Sequence, residues 1–155
     1  MAADEAAFIA ATQASRKLHR PWVQPPGDAQ AFARYLARFD GVAHHGFVVE
    51  AEGELAGAIN LTNIVMGAFR NGYLGYYAFA GFEGRGLMTQ GLNAVVRHAF
   101  KELGLHRVEA NIQPGNAASI ALAKRCGFQL EGYSPKYLKI AGRWCDHERW
   151  ARIKP

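Results

Sequence analysis

Gly84-Arg85-Gly86-Leu87-Met88-Thr89 lies between an aromatic, strand-like run from Tyr73 to Ala80 and an amphipathic helix. Glycines at alternate positions before a helix start leave backbone N–H groups uncovered, and the helix dipole adds positive potential at the same spot. The turn is therefore either an anion site or merely a tight strand-to-helix connection. Beyond it, Leu92, Val95, Val96, Ala99, Phe100 and Leu103 recur at helical spacing, and Gly104 supplies the C-terminal stop. His106 to Gln113 then alternates as a strand, with Val108, Ala110 and Ile112 on one face and Arg107, Glu109 and Asn111 on the other. Strand, glycine turn, long helix and strand together predict a right-handed crossover between parallel strands.

The chain has 155 residues, which suits one domain with a proper core. Half the residues are hydrophobic and 20% are charged, a balance that argues against disorder. The formal charge of +5 suits a polyanionic ligand, yet no run of consecutive Lys or Arg marks a nucleic-acid tail. Cys126 and Cys145 lack any paired spacing, so neither a disulfide framework nor a zinc site is expected. The start, Met1-Ala2-Ala3-Asp4-Glu5, is acidic and is not followed by a long apolar run, unlike a signal peptide. These features predict a soluble cytoplasmic protein with no membrane span.

Before the glycine turn, residues from Asp4 to His19 read as an alanine-rich helix that Pro21 ends. In the stiff loop that follows, Trp22 is either a core plug or part of a binding mouth. Asp28 is a plausible N-cap for a helix carrying Phe32, Tyr35, Leu36 and Phe39 on one face, closed by Gly41. Phe47-Val48-Val49, a turn at Glu52-Gly53-Glu54 and an extended run from Leu55 to Val65 read as a hairpin. Asn71-Gly72 reads as a further turn, and the apolar third strand as central in the sheet. After the crossover, Asn116 is expected to cap a short helix with Ser119 at its third position, and Cys126-Gly127 to end it. Phe128 to Ile153 reads as a strand pair turning at Ala141-Gly142.

Two helix starts, at Leu87 and Asn116, thus follow two successive parallel strands and should meet at one edge of the sheet, flanking a crevice. One offers bare N–H groups to phosphate. The other offers the short polar side chains of Asn116 and Ser119. A ligand with a pyrophosphate and a polar arm would span both. The turn lacks the Gly-Lys-Ser/Thr of a P-loop and the third glycine of a dinucleotide fingerprint, where Thr89 stands. No serine nucleophile elbow is present, and His44, His45, His98, His106 and His147 are scattered without metal-ligand spacing, so no metal is expected.

On Tyr73-Leu74-Gly75-Tyr76, Gly84-Arg85-Gly86-Leu87-Met88, Asn116-Ala117-Ala118-Ser119 and Gly127-Phe128, the chain resembles the GNAT superfamily of N-acetyltransferases. Within it the likeness is to the RimJ/RimL group, which acetylates ribosomal-protein N-termini. Glu131-Gly132-Tyr133 with Asp146-His147 points to the RimJ type. The resemblance implies one α/β domain over residues 1–155, with a mixed sheet splayed between two parallel strands and flanked by about four helices. It implies acetyl-CoA as cosubstrate between the strands that end at Ala80 and Gln113. Tyr77 to Phe79 would hydrogen-bond the pantetheine arm, and Glu83, Gly84, Arg85, Gly86, Leu87, Met88 and Thr89 would hold the pyrophosphate. Asn116 would touch the pantetheine and Ser119 would face the thiol. Three departures stand out. Glu83 replaces the usual Gln or Arg, so its backbone rather than its side chain should serve; Met88 replaces a small residue. The family's first edge strand is missing, which leaves a sheet edge uncovered or covered by a partner chain.

The implied reaction is attack of an amine on the thioester, with a strand N–H near Phe79 stabilising the oxyanion. Ser119 is either the acid that protonates the thiolate or simply a helix-capping serine. For the base, Leu138 stands where RimL-type proteins carry a glutamate, which leaves Glu109 first and Asp146 second, each equally explained as a surface carboxylate. The acceptor expected is a protein N-terminal α-amine, as on a ribosomal protein, in a monomer or homodimer. The rivals are a small amine (antibiotic, polyamine or amino acid), a CoA-binding sensor without catalysis, or an RNA-binding module. The last lacks aromatic residues interleaved with Lys and Arg.

Overall fold

The structure is a computed structural model and describes residues 2–155. After a 3-10 turn at Ala2–Asp4 come α1 (Glu5–Ala14), α2 (Arg16–His19) and α3 (Ala29–Ala37). β1 (His45–Ala51), β2 (Glu54–Val65) and β3 (Asn71–Ala78) follow, then α4 (Leu87–Lys101), β4 (Arg107–Ile112) and α5 (Ala117–Arg125). The chain ends with β5 (Gln129–Ile140) and β6 (Arg143–Ile153). The six strands form one sheet in the order β1-β2-β3-β4-β6-β5. Only β3 and β4 are parallel, joined by α4 as the crossover helix requires.

Helices cover both faces of the sheet. On one, the stripe Leu92, Val95, Val96, Ala99 and Phe100 of α4 packs with Ile59, Leu61, Leu74, Tyr76, Val108 and Ala110. Gly91 lets α4 lie close, because a Cβ there would stand 2.6 Å from Val49 Cγ2. On the other face, Phe8 of α1 and Phe32 and Tyr35 of α3 pack with Leu55, Ala58 and Phe79. Alternation along β3 therefore sends Leu74 and Tyr76 to the α4 face and Tyr77 and Phe79 to the α1 face. Asp28 caps α3 as its position predicted, accepting the Ala31 N–H at 2.8 Å.

Four expectations are corrected. The first helix breaks at Ser15, whose Oγ accepts the Ala80 N–H at 2.9 Å, so α1 and α2 stand where one helix was expected. Gly41 does not close α3, which ends at Ala37; Asp40 follows, its carboxylate accepting the N–H groups of Val42, Ala43 and His44. Asn71-Gly72 is no turn. Both residues lie inside β3, Asn71 paired to Val65 on one side and Arg107 on the other, and the chain reverses instead between β2 and β3 over residues 66–70. Gly72 is there for space, since a Cβ would meet Leu61 Cδ1 at 2.9 Å. Finally, Glu109 is not at the surface. It is buried and held by Arg107, whose Nη2 donates to it at 2.7 Å.

Candidate active site

β3 and β4 pair only from Asn71 with Arg107 to Leu74 with Ala110. Beyond that, β3 continues on β2 as far as Ala78, opposite Gly57, while β4 continues on β6 as far as Ile112, opposite Glu148. The two strands diverge, and a crevice opens between them. The Phe79 N–H donates to Ala56 O at 2.8 Å, on the β2 side. Backbone groups alternate sides along a strand, so those of Tyr76 and Ala78 face the crevice. The Ala78 carbonyl accepts from His19 Nε2 at 2.7 Å.

A cavity of about 580 Å³ fills this crevice and runs to the glycine turn. Gly84 and Gly86 have φ of +74° and +71°, and nothing stands within 4 Å of a Cβ built on either. Gly86 is the N-cap of α4 and offers no side-chain cap. The first N–H groups of the helix therefore remain for a ligand. Glu83, Leu87, Met88 and Thr89 line the same space. The Glu83 carboxylate folds back to accept the Gly81 N–H at 2.9 Å, as its unsuitability beside a phosphate suggested. Arg125 of α5 lines the cavity too, its Nε donating to Thr89 Oγ1 at 3.3 Å. It brings a cation that helix periodicity alone did not single out. Uncovered amides, an open approach to the backbone and a nearby guanidinium fit the pyrophosphate of acetyl-CoA.

At the second helix start, Asn116 Oδ1 accepts the Ser119 N–H at 3.3 Å. The Tyr76 hydroxyl donates to the Ser119 carbonyl at 3.1 Å and ties α5 to β3. Burial pushes the Tyr76 phenol far above its usual range, so it stays neutral. A smaller cavity of about 80 Å³ lies beyond, lined by Gly75, Asn111, Gln113 and His147. Trp22, Val23, Tyr76, Asn116 and Ser119 line both cavities. Trp22 is thus part of the mouth where the two meet.

The structure gathers Tyr77, Glu83, Gly84, Gly86, Leu87, Met88, Thr89, Asn116 and Ser119 around one space. It sends five others elsewhere. Phe79 is 1% exposed within the α1 face of the core, and its N–H is spent on Ala56 of β2. The Ala80 N–H is likewise taken, by Ser15. Arg85 turns outward to Glu52 at 3.2 Å and lies over the Phe82 ring. Glu109 lines neither cavity and shares Arg107 with Glu131. Asp146 sits on the β5–β6 hairpin, bonded to the Tyr133 hydroxyl and the Lys136 N–H, and the Tyr133 bond above all holds its carboxyl below the usual range. Neither predicted carboxylate lines either cavity.

Residues 1–129 match the family model described as an acetyltransferase (GNAT) domain. The chain belongs to the GNAT acetyltransferase family. This GNAT chain is 34% identical over 131 residues to the probable N-acetyltransferase YjcK of Bacillus subtilis, covering 83% of itself and 72% of that protein. It is 40% identical over 104 residues to the [ribosomal protein uS5]-alanine N-acetyltransferase of Escherichia coli, covering 67% of itself and 54% of the relative. It thus spans about half the length of that enzyme. Among solved structures, Mycobacterium smegmatis RimJ in complex with CoA-disulfide superposes with a TM-score of 0.89 at 27% identity, over 99% of this chain and 78% of that one. The GNAT chain is an N-acetyltransferase, with the splayed parallel pair as its central feature.

Proposed function

We propose that this GNAT chain transfers acetyl from acetyl-CoA to the α-amino group of a protein N-terminus. Acetyl-CoA supplies an activated thioester. The α4 N-terminus and Arg125 would hold its phosphates, the crevice-facing groups of Tyr76 and Ala78 its pantetheine, and Asn116 and Ser119 the thiol end. The Ala78 or Tyr76 N–H, rather than that of Phe79, is placed to face a carbonyl in the crevice. Ser119, at the junction of the two cavities, is the group nearest to hand for protonating a departing thiolate.

The observation that carries the acceptor reading is the lining of the small cavity. Among the described residues it holds no carboxylate, guanidinium or ammonium. A polyamine brings a second ammonium, which wants a carboxylate; a free amino acid brings a carboxylate, which wants a cation. A peptide N-terminus brings one amine followed by neutral amides. Gln113 suits those amides, because its Nε2 is buried without a hydrogen-bond partner and is a donor in need of a carbonyl. The uS5-alanine acetyltransferase relative supports the same acceptor class. An α-amine has a pKa near 8, so about a tenth is neutral at pH 7 and needs only a modest base.

The test is acetylation of a panel comprising peptides with small N-terminal residues, spermidine and free amino acids, followed by release of free thiol. Peptides should exceed the others in kcat/KM by at least about tenfold, the discrimination expected when a buried polar group is matched or left unpaired. Faster turnover of spermidine or of a free amino acid would overturn the assignment.

A further inference from the structure

Among the described residues that line the small cavity, His147 is the one imidazole. It is 3% exposed and belongs to β6, the strand that follows β4 in the sheet. Its Nδ1 lies 2.8 Å from the Cys145 carbonyl. A carbonyl can only accept, so Nδ1 carries the proton of the neutral ring and Nε2 keeps the lone pair. The ring is therefore oriented and its tautomer set, in a cavity that Ser119, Asn116 and Tyr76 share with the crevice.

Resting on the reading that this cavity receives the acceptor, we propose that His147 is the general base and takes the proton of the attacking amine. The neutral amine attacks the thioester carbon and the C–N bond forms. The N–H proton passes to His147 Nε2. The C–S bond breaks with its electron pair on sulfur, and the thiolate takes a proton from Ser119, which regains one from solvent as His147 returns its own to solvent. One proton has moved from nitrogen to sulfur.

Several elements pack against the ring. From β5, the Tyr137 ring is 6.1 Å away and Ser134 is the cross-strand partner. From β3 comes Tyr76, neutral throughout; from β4 come Asn111 and Gln113; from α5 come Asn116 and Ser119. On β6 itself, Asp146 adds one negative charge, engaged by Tyr133 and Lys136. His19, the other histidine of the region, faces only the larger cavity and has its Nε2 committed to Ala78. It is the natural control.

The experiment is the pH profile of kcat for the wild type, His147→Gln and His19→Gln, with acetyl-CoA affinity measured in parallel. In the wild type, kcat should rise with pH through a single inflection as the base loses its proton. In His147→Gln that inflection should vanish and kcat at neutral pH should fall by about a hundredfold, with acetyl-CoA affinity unchanged. Survival of the inflection in His147→Gln, or its loss in His19→Gln instead, overturns the proposal. Should His147→Gln fail to fold, the wild-type ring is titrated by NMR. Titration of the His147 ring at the kinetic inflection supports the role, and a ring that keeps one protonation state throughout overturns it. The profile is taken with whichever amine the panel selects. Loss of the peptide assignment then appears as a different acceptor, not as a lost inflection.

Discussion

His19 shows how a single side chain couples the fold to the site. It is 4% exposed, stacked edgewise among Tyr77 and Phe79, with Nε2 bound to Ala78 and Nδ1 buried without a partner. Burial lowers its pKa below the ordinary 6.5, and the Ala78 bond offsets this only in part. The unfolded chain thus binds a proton at this residue at a pH where the folded chain does not. Its effect on stability is absent above the ordinary histidine range and grows as destabilisation while pH falls toward the lowered folded value. Wild-type Tm should therefore drop more between about pH 7.5 and about pH 5.5 than that of His19→Gln. Equal slopes would show that the ring accepts its proton without cost. The residue was silent in the sequence because a histidine at the end of a helix looks the same whether or not a strand carbonyl waits for it.

At the scale of elements, the glycine turn and α4 were the most legible part of the chain. Glycine spacing, the apolar stripe and the stop at Gly104 all pointed to one strand–turn–helix unit, which forms, although α4 ends at Lys101 with Glu102 as its C-cap, ahead of Leu103 and Gly104. Gly86→Val tests why the glycine is needed. No atom lies within 4 Å of the added Cβ, so the penalty comes from φ of +71° and not from crowding. A β-branched residue there costs about 1–3 kcal/mol or forces the turn to rearrange. We expect acetyl-CoA affinity, read by calorimetric titration, to fall by about tenfold or more, in a protein that still folds. Undiminished affinity would remove the turn from the binding site. The Asn71-Gly72 pair was misread for a related reason. Asn-Gly suits a tight turn, but it equally suits a strand that needs a small residue under Leu61, and local sequence cannot separate the two.

Across the whole molecule, the crevice exists because β3 and β4 each keep an outer partner while letting go of one another. A ligand lying between them would join the β1-β2-β3 side, the β4-β6-β5 side and both helix starts. Binding to this folded form alone should raise stability by about 2.7 kcal/mol at a hundredfold excess over Kd. For a domain of this size that is a Tm increase of roughly 5–10 °C, read by thermal melting with and without acetyl-CoA. No shift at saturating acetyl-CoA would remove the crevice as its binding site.

The crossover, the two helix starts that flank it and the family motifs they carry are legible in the order of residues alone, because they rest on short-range periodicity and turn chemistry. The sequence also placed Gly84, Gly86, Asn116 and Ser119 at one edge of the sheet, since parallel strands must start their following helices on the same side. Only the tertiary structure decided which strand amides were already spent and which carboxylates were tied up. Phe79 donates to a residue 23 positions away and Glu109 is held by Arg107 together with Glu131, so neither was free for the role its neighbours in sequence suggested. The small cavity came from the structure as well. His147, Gln113 and Trp22 are far apart along the chain, and only the sheet order and the divergence of its parallel pair bring them to one cavity.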